Sequence, residues 1–198
     1  MDIGEAIIAA AAPHPAVRDV QLIGSRAEGH ASDWSDWDFR VEANDFAAVA
    51  EALPHLLAPL DPMVQQWDRL SGEYCWMLIL RGPTKVDLIF PDVPHANEPP
   101  WKPTAGNLGA IDDHFWDWVL WLRGKAAGGK GDLVATELDK LFDHLLAPLG
   151  VKHRPSSISE AVASYRAARD RAEQRFDRVV RREVEAAVAP ALKDLSES

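Results

Sequence analysis

The stretch Leu22-Ile23-Gly24-Ser25-Arg26-Ala27-Glu28-Gly29, then His30 to Ser35, then Asp36-Trp37-Asp38-Phe39-Arg40-Val41, decides how this chain is read. A short strand candidate over Val17 to Ile23 ends at Gly24-Ser25, a polar loop follows, and a second extended run opens with two carboxylates. Residues two apart on a strand point to the same face, so Asp36 and Asp38 present paired oxygens on one side of a sheet. Two such charges repel unless a cation lies between them, and hard oxygen ligands of this kind suit Mg²⁺. Gly24 lets the backbone come close to a phosphate, and Ser25 offers it a hydroxyl and an N–H. A third acid, Asp87, stands in Lys85-Val86-Asp87-Leu88-Ile89-Phe90, where apolar neighbours give no reason to bury a carboxylate without a partner. Three acids on two strands meet the needs of two Mg²⁺ ions in an in-line phosphoryl transfer. The plainer account makes Asp36 and Asp38 solvated turn residues. Gly24-Ser25 before them and Asp87 after them favour the metal. An EF-hand fails, because Val41 and Ala47 fall where Gly and Glu are required.

Around this segment the first part of the chain alternates helices and strands. An Ala/Ile-rich helix is expected over 3–12, stopped by Pro13 and Pro15, and a helix over 45–58 capped by Asp45 or Asn44. Its buried stripe is Phe46, Val49, Leu53, Leu56 and Leu57. Tyr74–Leu80, the Gly82-Pro83 turn and Lys85–Phe90 read as an antiparallel hairpin. Pro91 to Pro103 holds five prolines and reads as a linker. Helical patterns then cover 108–124, 131–147 and a long 157–188. The expected fold class is α+β: a first domain over 1–105 with a small mixed β-sheet, and an all-helical C-terminal domain over 106–198.

Composition narrows the function. With Lys+Arg 21 against Asp+Glu 31, the net charge of −10 argues against coating nucleic acid, which leans on Lys and Arg. A single cysteine, Cys75, excludes an intrachain disulfide framework and a thiolate-rich zinc site. The seven His show no metal-binding spacing. No apolar run approaches the ~20 residues of a membrane span, and the acidic N-terminus makes a poor signal peptide, so the expected compartment is the cytoplasm. Gly124 to Gly131 misses the P-loop pattern, since Gly131 follows Lys130 where Ser or Thr is needed; it reads as a helix–helix turn. Arg166 to Arg182 is interrupted by Asp170, Glu173 and Asp177 and reads as a salt-bridged face behind Tyr165, Ala168, Ala172, Phe176 and Val179. Trp116, Trp118 and Trp121 read as core and groove wall rather than a substrate platform. Trp34 and Trp37 either wall a nucleotide pocket or pack the loop.

The run from Gly24-Ser25 through Asp36-Trp37-Asp38 to the later lone Asp87 resembles the signature of the nucleotidyltransferase superfamily related to DNA polymerase beta. His114-Phe115-Trp116-Asp117-Trp118, then Lys130-Gly131-Asp132-Leu133, is similar to the helical domain of antibiotic nucleotidyltransferases such as the streptomycin- and lincosamide-modifying adenylyltransferases. The resemblance covers about residues 17–148 and implies a nucleotidyltransferase fold. It implies that Asp36, Asp38 and Asp87 are the catalytic, metal-binding triad, and that Gly24, Ser25, Arg26 and Lys130 bind nucleotide. The cofactor would be Mg²⁺, as two ions, with ATP or another nucleoside triphosphate as co-substrate. The activity would move a nucleoside monophosphate, AMP from ATP, to a hydroxyl of a small acceptor such as an aminoglycoside-like antibiotic, conferring antibiotic resistance. Asp92, Asp112 and Asp113 are open candidates for a general base. The alternative is a nucleotidyltransferase-domain partner or antitoxin that acts on or binds a helical toxin protein.

Overall fold

A computed structural model describes residues 2–196. The chain divides into two compact units, Met1–Glu98 and Pro99–Ser198. In the first, α1 (Ile3–Ala11) starts with a capping box: Asp2 Oδ1 accepts from the Glu5 N–H at 2.9 Å, and the Glu5 carboxylate accepts from the Asp2 N–H. β1 (Val17–Ile23) runs into a single helical turn, α2 (Gly24–Ala27), and the loop after it leads to β2 (Trp37–Ala43). Asp45 caps α3 (Phe46–Leu57), and the buried Val49, Leu53 and Leu57 follow the helical spacing of its apolar stripe. β3 (Val64–Trp67), β4 (Glu73–Leu80) and β5 (Thr84–Pro94) complete a five-stranded sheet of order β1-β2-β5-β4-β3.

The fold is thus a mixed α/β arrangement on a mixed sheet: β2 pairs β5 in parallel, and every other neighbour is antiparallel. Alternation sorts the strand residues onto two faces. Phe39, Val41, Leu78, Val86, Leu88 and Phe90 share one core with Ile7 of α1 and Val49 and Leu53 of α3. The even residues of β2 and the odd residues of β5 therefore take the opposite face. Residues 59–73 offered no apolar run because Gln65 and Gln66 interrupt β3. That strand lies at the sheet's edge, held by Met63 and Asp68 N–H groups donating to the Ile79 and Cys75 carbonyls, each at 2.8 Å.

In the second unit α4 (Leu108–Ala127), α5 (Gly131–Leu141), α6 (Ile158–Phe176) and α7 (Glu183–Val188) form a helical assembly. Trp116 and Trp118 are buried, as a core reading requires, and Phe115 stacks on Tyr165 at 3.7 Å between ring centroids. Gly128, Gly129 and Lys130 make the turn between α4 and α5. The helix expected over 157–188 is broken after Phe176. Asp177 takes a left-handed conformation, φ 47°, and the next turn is held by Glu173, which accepts from the Val180 N–H at 2.6 Å and from Arg182. The break carries Val180 into the interior and leaves Val179 at 84% exposure, so the apolar stripe does not run through Val179. No helix among the described residues is long and apolar enough to cross a membrane.

Candidate functional site

The sheet register assembles the acids of the first unit. Asp38 on β2 lies directly opposite Asp87 on β5, and Trp37 opposite Val86. One step before that second pair stand Asp36 and Lys85. Asp38, Lys85 and Asp87 thus form a block on the face away from α1 and α3, with adjacent strands ~4.8 Å apart, and Asp36, one residue before β2, lies near enough for its charge to act on Asp87. The row through Asp38 and Asp87 continues to Ile23 on β1 and to Met77 and Gln66 on β4 and β3. Asp36, Lys85 and Asp87 are buried.

Lys85 is the residue that sequence reasoning left out. Its Nζ donates to Asp87 Oδ1 at 2.7 Å within the interior. The signal was present in the i, i+2 spacing of Lys85 and Asp87, which puts them on the same face of one strand. Asp68, just past β3, is a second omission: its negative charge acts on Asp87. Burial pushes the Asp87 carboxyl above the ordinary carboxylate range. Lys85 pulls it down, and the charges of Asp36 and Asp68 push it up again.

Gly24 stands where glycine is favoured. Its φ is +68°, and a Cβ there would lie 2.8 Å from Asp38 Oδ2. The Gly24-Ser25 turn is thereby held against the Asp38 carboxylate. Arg26 works on the backbone: its guanidinium donates to the Ser35 and Asp36 carbonyls at 2.5–3.1 Å and lies 4.3 Å over the Trp37 ring. Trp37 packs on the core side of the sheet, stacked with Phe39 and close against Gly4, where a Cβ would meet it at 2.9 Å. It packs the loop and does not wall a pocket on the acid-bearing face.

Among the described residues no three His, Cys, Asp or Glu side chains gather as a ready metal centre. The chemistry of the block nevertheless fits a hard cation. Its donors are carboxylate oxygens, and Asp87 carries a burial and like-charge penalty that a cation relieves. Lys130 belongs to the second unit, exposed just before α5. Of the general-base candidates, Asp92 is exposed on β5, 3.9 Å from Arg18. Asp112 accepts from Tyr165 Oη at 2.6 Å, from Trp116 Nε1 at 3.3 Å and from Arg169 at 3.4 Å, which makes it a structural acid. Burial, with the Asp112 charge beside it, raises Asp113 to about 7.

No family model matches the chain, and no curated protein matches it. Among solved structures it is similar to an aminoglycoside 6-adenyltransferase from Bacillus subtilis, at 12% identity over 95% of both chains with a TM-score of 0.33. It is also similar to a chain of the GLD-2/RNP-8 complex, at 14% identity and TM-score 0.38, covering 82% of this chain and 47% of that one. A third likeness is to the polymerase core of TRAMP, an RNA surveillance complex, at 11% identity and TM-score 0.37, over 87% of this chain and 54% of that one. These likenesses are distant, and residue roles here are read from the chain's own geometry.

Proposed function

We propose that the Met1–Glu98 unit binds a Mg²⁺–nucleoside triphosphate on the acid-bearing face of its sheet and transfers a nucleoside monophosphate, AMP from ATP, to a hydroxyl of a small acceptor. The observation that carries this reading is the direct register of Asp38 with Asp87 on parallel strands, with Lys85 completing the block and Asp36 near it. Such transfers ask for positioning and charge neutralisation more than for covalent chemistry. Bound Mg²⁺ would supply Lewis-acid stabilisation of the phosphate oxygens. Asp36 and Asp38 are the residues that would hold it, with Asp87 completing the acidic set. Ser25 donates its hydroxyl to a phosphate oxygen from a turn that Gly24 allows. Arg26 is a positioning residue, since it ties down the backbone that delivers Asp36.

The net charge of −10 complements a polycationic acceptor, and an aminoglycoside-like antibiotic is the acceptor we assign, which makes the activity one of antibiotic resistance. The cytoplasm, which supplies both nucleoside triphosphate and Mg²⁺, is the compartment this activity requires. The test is a screen of the purified protein with Mg²⁺ and labelled nucleoside triphosphates against hydroxyl-bearing antibiotics, reading pyrophosphate release. Acceptor-dependent release that disappears with EDTA is the expected result. No release with any acceptor, alongside no binding of Mg²⁺–nucleotide, removes the reading.

A further inference from the structure

We propose that a cleft lined by α6 and α7 in the second unit binds a small monocarboxylate with an apolar body. This goes beyond the nucleotidyl-transfer reading and does not rest on it. The cleft measures about 520 Å³, within the ~300–1,000 Å³ usual for small-molecule sites. It is lined by Arg166 of α6, by Arg182 just before α7, by Glu185 and Ala186 of α7, and by Ala189 and Pro190 just after it. The side chains of Ala186, Ala189 and Pro190 are short and apolar, so they leave room for an apolar body and gain by being covered.

The charged side chains of the lining divide the work. The terminal nitrogens of Arg182 are taken: Nη1 and Nη2 donate to the two oxygens of Glu173 at 2.8 and 2.7 Å, Nη1 also donates to the Val180 carbonyl at 2.7 Å, and Nη2 reaches Asp170 at 3.5 Å. Glu185 is taken as well. Its Oε1 accepts from Arg166 Nε at 2.7 Å and its Oε2 from Arg169 Nη1. Burial pushes the Glu185 carboxyl up, but the hydrogen bonds and charges of Arg169 and Arg166 outweigh it and hold the group below the ordinary carboxylate value. Arg166 differs from both. Only its Nε is engaged, and its two terminal nitrogens have no hydrogen-bond partner among the described residues. The guanidinium is still held in place, by Glu185 at one edge and by the Trp116 ring, whose centroid lies 5.9 Å away. At 43% exposure it stays within reach of a ligand. Two parallel N–H bonds from such a fork match the two oxygens of one carboxylate. Glu185 behind the fork disfavours a phosphate dianion, whose second charge would find repulsion there and no further donor on Arg166.

The experiment varies the head group and the cleft. Full-length protein is titrated by calorimetry with hexanoate and benzoate, and with hexanol, hexylammonium and hexyl phosphate for comparison. Saturable binding of at least one carboxylate, with a Kd of ~1 mM or below, is expected. Hexyl phosphate should bind at least about tenfold more weakly than hexanoate, and hexanol and hexylammonium more weakly still. No saturable binding of either carboxylate up to ~10 mM overturns the inference. So does hexanol binding as tightly as hexanoate, which leaves an apolar crevice without a carboxylate fork, and so does tighter binding of hexyl phosphate. Arg166→Met keeps an apolar stem, removes the fork and should weaken carboxylate binding at least about tenfold. Ala186→Leu, at an exposed position of α7, narrows the cleft with Arg166 intact and should weaken it as well. Unchanged carboxylate affinity in a folded Arg166→Met or in Ala186→Leu places the binding elsewhere and overturns the inference. If Arg166→Met does not fold, Ala186→Leu and the head-group series decide.

Discussion

Each unit of this protein buries a cluster of charge, and the two clusters are built differently. In the second unit four acids, Asp112, Asp170, Glu173 and Glu185, meet three arginines, Arg166, Arg169 and Arg182. Arg169 bridges Asp112 and Glu185, Arg166 pairs Glu185 at 2.7 Å, and Arg182 pairs Glu173 at 2.7 Å. Tyr165 and Trp116 add neutral donors to Asp112. In the first unit Asp87 pairs Lys85, two residues before it on the same strand. Burial raises the carboxyls of both Asp87 and Asp112, so burial alone does not distinguish them. The partners do: Arg169 and Tyr165 of another helix and Trp116 of its own surround Asp112, whereas Asp87 is met by a lysine of its own strand.

The sharpest way to break this contrast is to neutralise one acid in each cluster. Asp38→Asn is expected to keep or raise thermal stability, because it relieves like-charge repulsion on the sheet face. It should cost at least about a hundredfold in pyrophosphate release, about 3 kcal/mol of barrier. Asp112→Ala should do the reverse. It strips the acceptor from Tyr165 and Trp116 and one partner from Arg169, for a loss of about 3 kcal/mol of stability. Thermal melts and turnover, measured on both variants, check the pair. An Asp38→Asn that unfolds, or an Asp112→Ala as stable as the parent, would collapse the distinction.

The difference between the clusters also explains what the sequence could show. The paired acids of β2, the Gly-Ser turn and the lone acid of β5 are local patterns, legible because a strand's alternation fixes their face without any long-range knowledge. So are the capping acids Asp2 and Asp45, whose acceptors lie three residues away. The spacing of Lys85 and Asp87 puts them on one strand face, but the 2.7 Å pairing itself appears only in the folded sheet. β3 escaped because an edge strand needs fewer apolar residues, and Gln65-Gln66 masked it. The break between α6 and α7 was hidden for a similar reason. Glu173 holds it by accepting from Val180 and Arg182, while the helical period runs on to Val188. The Asp112 network joins residues 53 and 57 positions apart, beyond any local spacing rule.

A smaller effect is expected where the Gly-Ser turn touches the block. Gly24→Ala forces a side chain into a left-handed backbone and sets its Cβ 2.8 Å from Asp38 Oδ2. The backbone strain alone should cost about 2 kcal/mol. If Asp38 moves to make room, Mn²⁺–nucleotide affinity falls as well. Gly29→Ala is the control, since Gly29 also has positive φ but its Cβ would meet nothing within 4 Å. It should show the strain without the loss of metal. Equal affinity losses in the two variants would separate Gly24 from the acid block.

Acid titration sharpens the second unit's side. Asp113 is raised to about 7 by burial and by the Asp112 charge, so its carboxyl stays protonated in the folded chain where the unfolded chain has released the proton. Between about pH 4 and 7 the native state then binds more protons, and stability falls as pH rises through that window. Glu173, held low by its hydrogen bond from Arg182, acts oppositely. Its contribution is present above the ordinary carboxylate value of 4.5 and is lost as pH falls below it, so the two windows meet only near pH 4. Asp113→Asn should flatten the upper window by roughly 1–2 kcal/mol after solvent screening. Denaturant melts at pH 5 and pH 8 check it, and an unchanged slope would place the raised group elsewhere.

The slightest expected change concerns the hydroxyl next to the block. Ser25 lies in the first turn of α2, half-buried, beside the glycine that touches Asp38. Removing the hydroxyl leaves the turn's backbone intact, so Ser25→Ala should melt with the parent. One hydrogen bond to a phosphate is worth about 1 kcal/mol, so affinity for a non-hydrolysable ATP analogue with Mn²⁺ should fall about fivefold. Calorimetric titration at two salt concentrations checks it. A salt-independent loss belongs to a hydrogen bond and a salt-dependent loss to a charge. Unchanged affinity in Ser25→Ala would leave the Gly24-Ser25 turn as a way of shaping Asp38 alone.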